Sequence, residues 1–380
     1  MKVDLYQSLA RKSDQSGGSK TARYLLLGLF GEAGTVLSEV KKRKRDNETD
    51  EHYFSRVSEE LGDLLWYVSA VAGRNGAKLS TLVLPLLKNR PRNPHEIRFG
   101  DIQQPTRMNL DGPSKYLELR LVRLAVAAGK LVEIQTQSLH SRKAVDADAA
   151  FTEILRQIAF VATRVGLSMD DVAVQNLQKV QDRWPDKKRY PASFDDDFPN
   201  YEQLPKSMKV DIREISTDNG AFVLQASKGI HIGDRLTDNI ADPDEYRFHD
   251  VFHYAYAAVL GWSPVMRSLL RLKRKSRKEI DDTQDGARAI LIEEGISTFI
   301  FNEAKRQEYF AGIERGKLSF DLLKSIREFV RGYEVERAPL WLWEEAVLQG
   351  YEAFRFLQEH RAAQVEISFR QRKLITRPHP

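Results

Sequence analysis

The chain has 380 residues, a formal net charge of +5, 42% hydrophobic residues and 30% charged residues. This length is sufficient for two or three domains with cores of their own. The absence of cysteine excludes disulfides, thiol chemistry and zinc sites built on sulfur, whereas the mild positive charge is compatible with phosphate-bearing ligands.

Residues 1–98 are predicted to form a helical domain. Thr21–Lys44 and Phe54–Gly73 carry apolar residues at helical period, and a third helix is expected at Thr81–Lys88. The segment 99–114 is rich in proline and polar residues and is interpreted as a linker.

The first two of these helices place acids on faces that are otherwise apolar. Residues three or four apart lie one above the other on a helix. Two such helices packed face to face would gather five acids around one point: Glu32, Glu39, Glu59, Glu60 and Asp63. Because like charges in a helical core are poorly solvated, they require a compensating cation. Oxygen ligands with open coordination positions suit Mg²⁺.

Residues 115–190 repeat the helical pattern of residues 1–98. Leu121–Gln135 has the pattern of Leu26–Val40, and Ala150–Val165 has that of Glu60–Asn75. We interpret the two regions as an internal duplication.

A second linker is predicted at 191–205, followed by a C-terminal α+β domain at 206–370. Two strands, Lys209–Ser216 and Phe222–Ile232, are expected to flank a turn at 218–220. Four helical patterns follow: Asp244–Leu260, Asp285–Phe310, Phe320–Tyr333 and Pro339–His360. The basic tail beyond residue 368 is expected to fray. The predicted fold class is therefore mainly α, with two helical bundles followed by a mostly helical α+β domain that has a small antiparallel sheet.

The stretches Tyr24–Gly34 and Glu59–Tyr67 resemble the MazG-like all-α nucleoside triphosphate pyrophosphohydrolases in their acids, their flanking glycines and their Trp-Tyr pair. The pattern of that family is an E-x-x-E pair on one helix and an E-x-x-D pair on the next. The resemblance implies tandem MazG-like bundles in which acids hold Mg²⁺, or Mn²⁺ in its place. It also implies attack of metal-activated water on a nucleoside triphosphate, with release of pyrophosphate.

The resemblance assigns the metal to four positions, which in this sequence are Glu32, Thr35, Glu60 and Asp63. Thr35 departs from the family pattern, because a neutral hydroxyl contributes no charge and metal affinity should fall. Glu39, one turn further along the same helix, is a candidate substitute. Glu59 or Glu39 is the candidate general base.

In the second repeat, Asn176, Lys179 and Arg183 resemble the closing family helix, whose Asn, Lys and Arg contact the nucleotide. A solvated basic helix end is the alternative interpretation. The acid positions of this repeat are mostly lost, with Ala127, Lys130 and Ala150 in their place. One repeat therefore keeps most metal ligands and the other keeps the basic contacts, which favours a single composite site. The resemblance also implies a homo-oligomer.

A second candidate site lies in the C-terminal domain. His249 and His253 are four residues apart on a predicted helix, where two imidazoles can chelate one metal, and Glu294 could add a carboxylate. A pocket without metal, in which Arg288 joins these residues to bind a nucleotide or phosphate, is an alternative. A further alternative is that both histidines are structural and are hydrogen-bonded within an aromatic core.

The expected function is Mg²⁺-dependent cleavage of a nucleoside triphosphate to its monophosphate and pyrophosphate. A catalytically weakened nucleotide sensor is an alternative, with the C-terminal domain as its output or as a second active module. No apolar run approaches the roughly 20 residues that span a bilayer, and the N-terminus lacks a signal-peptide core. We therefore expect a cytoplasmic protein that acts without membrane or nucleic-acid partners.

Overall fold

The computed structural model describes residues 1–15, 21–46, 50–103, 115–141, 147–218 and 220–379. They form two compact units, Met1–Asp186 and Lys187–Pro380. The chain is mainly helical, with a small five-stranded antiparallel sheet in the C-terminal region, so the predicted fold class is confirmed. Among the described residues, every helix is too short or too polar to cross a membrane.

The first unit is a helical bundle. Its α-helices are α1 (Val3–Lys12), α2 (Thr21–Asp46), α3 (Asp50–Arg74), α4 (Leu79–Val83), α5 (Lys115–Ser141), α6 (Asp148–Val165) and α7 (Met169–Arg183). Helices α2 and α3 form one hairpin, and α5 and α6 form another. The hairpins pack through α2 against α5 and through α3 against α6, and one buried core runs through both. Helix α7 also packs against α3, which brings its polar side chains to the first hairpin.

The two hairpins end alike. A glycine with positive φ follows each second helix, Gly76 after α3 and Gly166 after α6. Ser168 then caps α7 by accepting a hydrogen bond from the Asp171 amide. After the first hairpin, α4 is shorter than expected because Pro85 has no amide hydrogen to continue the helix, and a 3₁₀ turn follows. The shared element order agrees with a duplication, which stays a prediction.

The second unit combines a sheet with helices. Its strands are β1 (Ser207–Thr217), β2 (Gly220–Ser227), β3 (Ile230–His231), β4 (Ala362–Ser368) and β5 (Lys373–Pro378). Its α-helices are α8 (Asp250–Ala255), α9 (Pro264–Leu269), α10 (Lys278–Thr283), α11 (Ala287–Lys305), α12 (Phe320–Phe329) and α13 (Leu340–His360). A π-helical turn, Tyr256–Leu260, continues α8.

The sheet order is β3-β2-β1-β4-β5. The expected β1–β2 hairpin is confirmed, with Thr217 opposite Gly220, although Asn219 of its turn lies outside the described residues. The expectation of one continuous strand over 222–232 is wrong, because the chain turns at Lys228 and Gly229, which have positive φ, and β3 folds back on β2. The expectation of a frayed tail is wrong, because β5 pairs with β4 along its length. Leu374 anchors this strand, since its side chain is nearly buried and its amide donates to Gln349 Oε1 at 2.8 Å.

The core of the second unit lies between the sheet and α8, α11 and α13. Aromatic rings fill much of it: Phe252 stacks on Tyr351 with their ring centroids 4.5 Å apart. Helix α8 packs against both α11 and α13. This packing places His249, which directly precedes α8, and His253 of α8 opposite Glu293 and Glu294 of α11.

Candidate functional site

Three acids of the first hairpin converge. Glu32 of α2 and Glu60 and Asp63 of α3 each offer one carboxylate oxygen, and these oxygens all lie within 4.8 Å of one another. The two glutamates and the aspartate are half-buried. The spacing of acids along the two helices therefore produces one carboxylate cluster, the acid cluster of the following paragraphs.

Thr35 is exposed and contacts the acid cluster. Its hydroxyl is 2.7 Å from Glu60 Oε2 and 3.1 Å from Glu32 Oε2, and it also lies 2.9 Å from the Glu32 carbonyl oxygen. The hydroxyl has one hydrogen to donate, and its oxygen carries lone pairs suited to a metal ion. The structure thus brings together all four positions to which the family resemblance assigns the metal.

The cluster is electrostatically unfavourable in its charged form. Burial, together with repulsion from Asp63 and Glu60, raises the pKa of Glu32 to about 7. Burial also raises the pKa of Asp63, although Lys179 opposes this effect. Groups whose charge is destabilised in this way require a proton or a cation. The donor set of carboxylates and a hydroxyl fits Mg²⁺.

Helix α7 supplies a cation and an amide to the cluster. Lys179 Nζ lies 2.5 Å from Asp63 Oδ2 and 2.7 Å from Glu59 Oε1. Asn176 Nδ2 donates to the other Asp63 oxygen at 3.0 Å. A basic and an amide side chain of α7 therefore lie against acids of the first hairpin, which is the arrangement that the composite-site hypothesis predicts.

The approach of α7 depends on a glycine. A Cβ atom placed on Gly62 would lie 2.8 Å from Asn176 Cβ, a distance too short for real contacts. The amide of Asn176 is in turn oriented by Tyr6, whose hydroxyl donates to Asn176 Oδ1 at 2.8 Å. This role of Tyr6 could not be predicted, because a single tyrosine in an N-terminal amphipathic helix gives no signal of it.

Two of the predicted residues lie apart from this convergence. Glu39 is buried, and its carboxylate is bound by Lys42 Nζ at 2.5 Å and Arg56 Nε at 2.6 Å. It is not among the acids whose oxygens converge. Arg183 is buried at the end of α7, with its guanidinium 5.3 Å from the Trp184 ring centroid. Their roles as ligand, base or nucleotide contact stay predictions.

A second cluster lies in the C-terminal unit. His249, Asp250 and His253 are buried, and one ligand atom from each lies within 4.8 Å of the others. Glu294 Oε2 is 3.4 Å from His253 Nε2. Arg288 is exposed on α11, and no hydrogen bond or ion pair of the described residues joins it to these groups. Asp250 is not among the predicted site residues, although its place directly after His249 was a signal for it.

The two histidines have opposite electrostatic environments. Burial lowers the pKa of His249. Burial also disfavours the charged form of His253, but Glu293 and Glu294 outweigh it and raise the pKa of that imidazole. The His249 ring stacks on Tyr246, with the planes parallel within 1° and the centroids 4.3 Å apart.

Two comparisons with known proteins give a match, one over the C-terminal unit and one over 90 residues. A family model described as the MazG C-terminal domain matches residues 189–380, just over half of the chain. The Gene 37 protein of Mycobacterium phage L5 is 33% identical over 90 residues, which span 22% of this chain and 79% of the phage protein. No solved structure matches the chain.

Proposed function

The chain belongs to the MazG C-terminal domain family, and from this premise we propose that its first unit is a Mg²⁺-dependent nucleotide pyrophosphohydrolase. The proposed reaction cleaves a nucleoside triphosphate to its monophosphate and pyrophosphate. The observation that carries the proposal is the convergence of Glu32, Glu60 and Asp63 within 4.8 Å. A family relationship to MazG proteins supports a nucleotide as the ligand.

The acid cluster suits the metal chemistry of such a reaction. Glu32, Glu60 and Asp63 would hold the ion, with the Thr35 hydroxyl as a neutral oxygen donor. When bound, Mg²⁺ supplies activation of water and neutralisation of the charge that develops on the phosphate. The raised pKa of Glu32 means that its proton leaves as the ion binds.

The reaction also requires a group that binds phosphate and a base for the attacking water. We assign these roles to a side chain of α7 and to its neighbour Glu59. Lys179 bridges Glu59 and Asp63, and its ammonium can exchange a carboxylate oxygen for a phosphate oxygen when substrate enters. That exchange would leave the Glu59 carboxylate able to accept a proton from the attacking water. Asn176 holds Asp63 in place through its 3.0 Å hydrogen bond.

We also propose that the active form is a homo-oligomer. Helix α2 exposes large apolar side chains one turn apart, Tyr24, Leu27 and Phe30, and α5, which packs beside it, exposes Leu119, Val122 and Val126. Exposed apolar residues at this density are typical of contacts between proteins. Leu27, 73% exposed, is the best position to test: Leu27→Asp should reduce the molar mass measured by light scattering to that of the monomer.

The test of the activity is a panel of ribo- and deoxyribonucleoside triphosphates with Mg²⁺, with pyrophosphate release as the readout. Glu60→Gln should abolish release. Glu51→Gln changes an exposed acid of the same helix and should leave it unchanged. Release that survives Glu60→Gln would refute the assignment to this cluster.

The positions of Thr35 and Lys179 favour one alternative, a nucleotide sensor without efficient turnover. A neutral hydroxyl stands between two carboxylates, and an ammonium already compensates Asp63. Both features lower the demand for a metal ion. A sensor would bind triphosphate without releasing pyrophosphate, and Thr35→Glu would then restore turnover.

A further inference from the structure

We propose that the C-terminal unit binds a divalent transition-metal ion, of the Zn²⁺ class, through His249 Nε2, His253 Nε2, Asp250 and Glu294. This site is distinct from the acid cluster and does not depend on the hydrolase proposal. Three of its four side chains come from α8 and the residue before it, and the fourth comes from α11.

His249 is oriented by a backbone carbonyl group. Its Nδ1 lies 2.8 Å from the Tyr246 carbonyl oxygen, an acceptor, so Nδ1 carries the hydrogen and donates it. In the neutral imidazole, Nε2 then carries the lone pair. That nitrogen lies 3.2 Å from Asp250 Oδ1 and therefore faces the cluster. A backbone carbonyl that fixes the tautomer in this way is usual for metal-binding histidines.

His253 is oriented by a carboxylate. Its Nδ1 lies 2.8 Å from Glu293 Oε1. Glu293 is fully buried and is itself fixed by Ser263 Oγ at 2.6 Å and by the Val265 amide at 2.8 Å. A carboxylate that holds the far nitrogen of an imidazole is the common support of a metal-binding histidine.

The other nitrogen of His253 has no hydrogen bond within the described part of the chain, although the whole side chain is buried. A buried polar atom without a hydrogen bond is costly unless a ligand satisfies it. Glu294 Oε2, 3.4 Å away, is the fourth candidate ligand. Because 3.4 Å exceeds an ordinary N–H···O distance, the contact with Glu294 leaves this buried nitrogen poorly satisfied, and this is the observation, independent of the clustering itself, that points to a bound ion.

Asp250 is supported in the same manner. Gln225 Nε2 donates to Asp250 Oδ2, and the hydroxyl of Tyr254 donates to Gln225 Oε1. These contacts leave Oδ1 directed at His249. Each of the three buried ligands thus has a partner that fixes it from behind, which an adventitious cluster of polar residues would not require.

The ligand types select the metal. Two imidazoles with carboxylates suit Zn²⁺, Fe²⁺, Co²⁺ or Ni²⁺, whereas Mg²⁺ prefers oxygen ligands alone. Ligands about 2.1 Å from a tetrahedral ion lie roughly 3.4 Å apart, and the ligand atoms of His249, Asp250 and His253 already lie within 4.8 Å of one another. The Glu294 side chain is 39% exposed, so this ligand is accessible from solvent.

The competing explanation is an ion pair in which a protonated His253 lies between Glu293 and Glu294. A metal-binding experiment separates the two. The full-length protein, purified without a metal-affinity tag and stripped with a chelator, is titrated with Co²⁺ and Zn²⁺. Calorimetry gives the affinity and stoichiometry, and the Co²⁺ absorption spectrum reports the coordination.

We expect one equivalent of Co²⁺ or Zn²⁺ per chain at this site, with Mg²⁺ unable to compete. His249→Ala and Asp250→Asn should weaken binding by about 100-fold or more. Glu294→Gln, at a partly exposed position, covers the case in which the buried variants fail to fold, and should weaken binding by about 10-fold. His360→Ala, which removes an exposed histidine of α13, should have no effect.

Glu32→Gln and Glu60→Gln should leave this binding unchanged, because they alter only the acid cluster. The proposal is overturned if the stripped protein binds neither ion, or if folded His249→Ala and Glu294→Gln proteins bind as tightly as the unaltered chain. Loss of binding in the acid-cluster variants alone would also overturn it, since the ion would then belong to the first unit.

Discussion

The Thr35 hydroxyl lies 2.7 Å from Glu60 Oε2, so a side chain of α2 contacts a carboxylate of α3 at the point where three acids converge. The same hydroxyl is 3.1 Å from Glu32 Oε2. A glutamate at position 35 would add a fourth carboxylate to the three of the acid cluster. The threonine instead adds a neutral hydroxyl beside the two carboxylates, and its single hydrogen can be donated to one of them. Because it adds no charge, it weakens the cluster's demand for an ion.

Thr35→Glu should therefore increase the affinity for Mg²⁺ or Mn²⁺ by about 10-fold or more, because it adds an anionic ligand to the cluster. Without metal, the same change should lower the melting temperature through repulsion. Thr35→Gln, similar in size but neutral, is the matched control and should show neither effect. Calorimetric titration with Mn²⁺ measures the affinity, and equal affinities for both variants would contradict this interpretation.

The raised pKa of Glu32 gives a pH dependence with a defined sign. Its ordinary value is 4.5, and burial with repulsion from Asp63 and Glu60 raises it to about 7. Between these values the folded protein binds more protons than the unfolded chain, so the free energy of unfolding falls as the pH rises. The raised pKa of Asp63 acts in the same direction.

Glu32→Gln should reduce this pH dependence. Between pH 4.5 and pH 7 its free energy of unfolding should fall by about 1–2 kcal/mol less than that of the unaltered protein, after allowance for solvent screening. Saturating Mg²⁺ should flatten the slope of the unaltered protein, because the ion replaces the proton. Urea unfolding at several pH values measures both effects. Parallel curves for the two proteins would show that Glu32 does not titrate in this range.

Gly62 permits the contact between α3 and α7. Gly62→Ala should lower the free energy of unfolding by about 1–3 kcal/mol, because the new Cβ overlaps Asn176 and forces α7 outward. The matched control is Gly34→Ala on α2, where a Cβ meets nothing within 4 Å. That change should stabilise the helix by about 0.5–1 kcal/mol. Equal effects of the two substitutions in urea unfolding would contradict the proposed close approach.

Lys179→Met should weaken the binding of a non-hydrolysable triphosphate roughly 10- to 100-fold, because a charge-assisted hydrogen bond from the ammonium to phosphate is lost. It should also raise the pKa of Asp63 further, since Lys179 is the group that lowers it. Lys130→Met, at an exposed position of α5, is the control and should bind normally. Unchanged affinity in Lys179→Met would assign that lysine a structural role alone.

Helical period and residue type predicted much of what the structure contains. Acids on apolar helical faces indicated the convergence of Glu32, Glu60 and Asp63, because burial of those faces forces the acids together. Alternation and a turn signal indicated the β1–β2 hairpin. Both signals are local, and each concerns residues that are close in sequence or lie on adjacent helices.

Long-range partners could not be predicted in this way. Glu39 lies one helical turn from the acid cluster by spacing, but Arg56 of α3 binds its carboxylate, and only packing decides that pairing. The basic run 271–278 has the pattern of a solvated loop, yet Arg274 is buried between Asp285 and Glu334. Strand β5 forms because β4 lies beside it, and its own sequence is typical of a mobile tail.

The most direct test of the account is diffraction from crystals soaked with Mn²⁺ and a non-hydrolysable triphosphate. We expect an anomalous peak about 2.1 Å from carboxylate oxygens of Glu32, Glu60 and Asp63, with the triphosphate bound beside Lys179. A triphosphate bound elsewhere with no anomalous density among these three acids, or acids turned toward solvent and too far apart to share an ion, would contradict it.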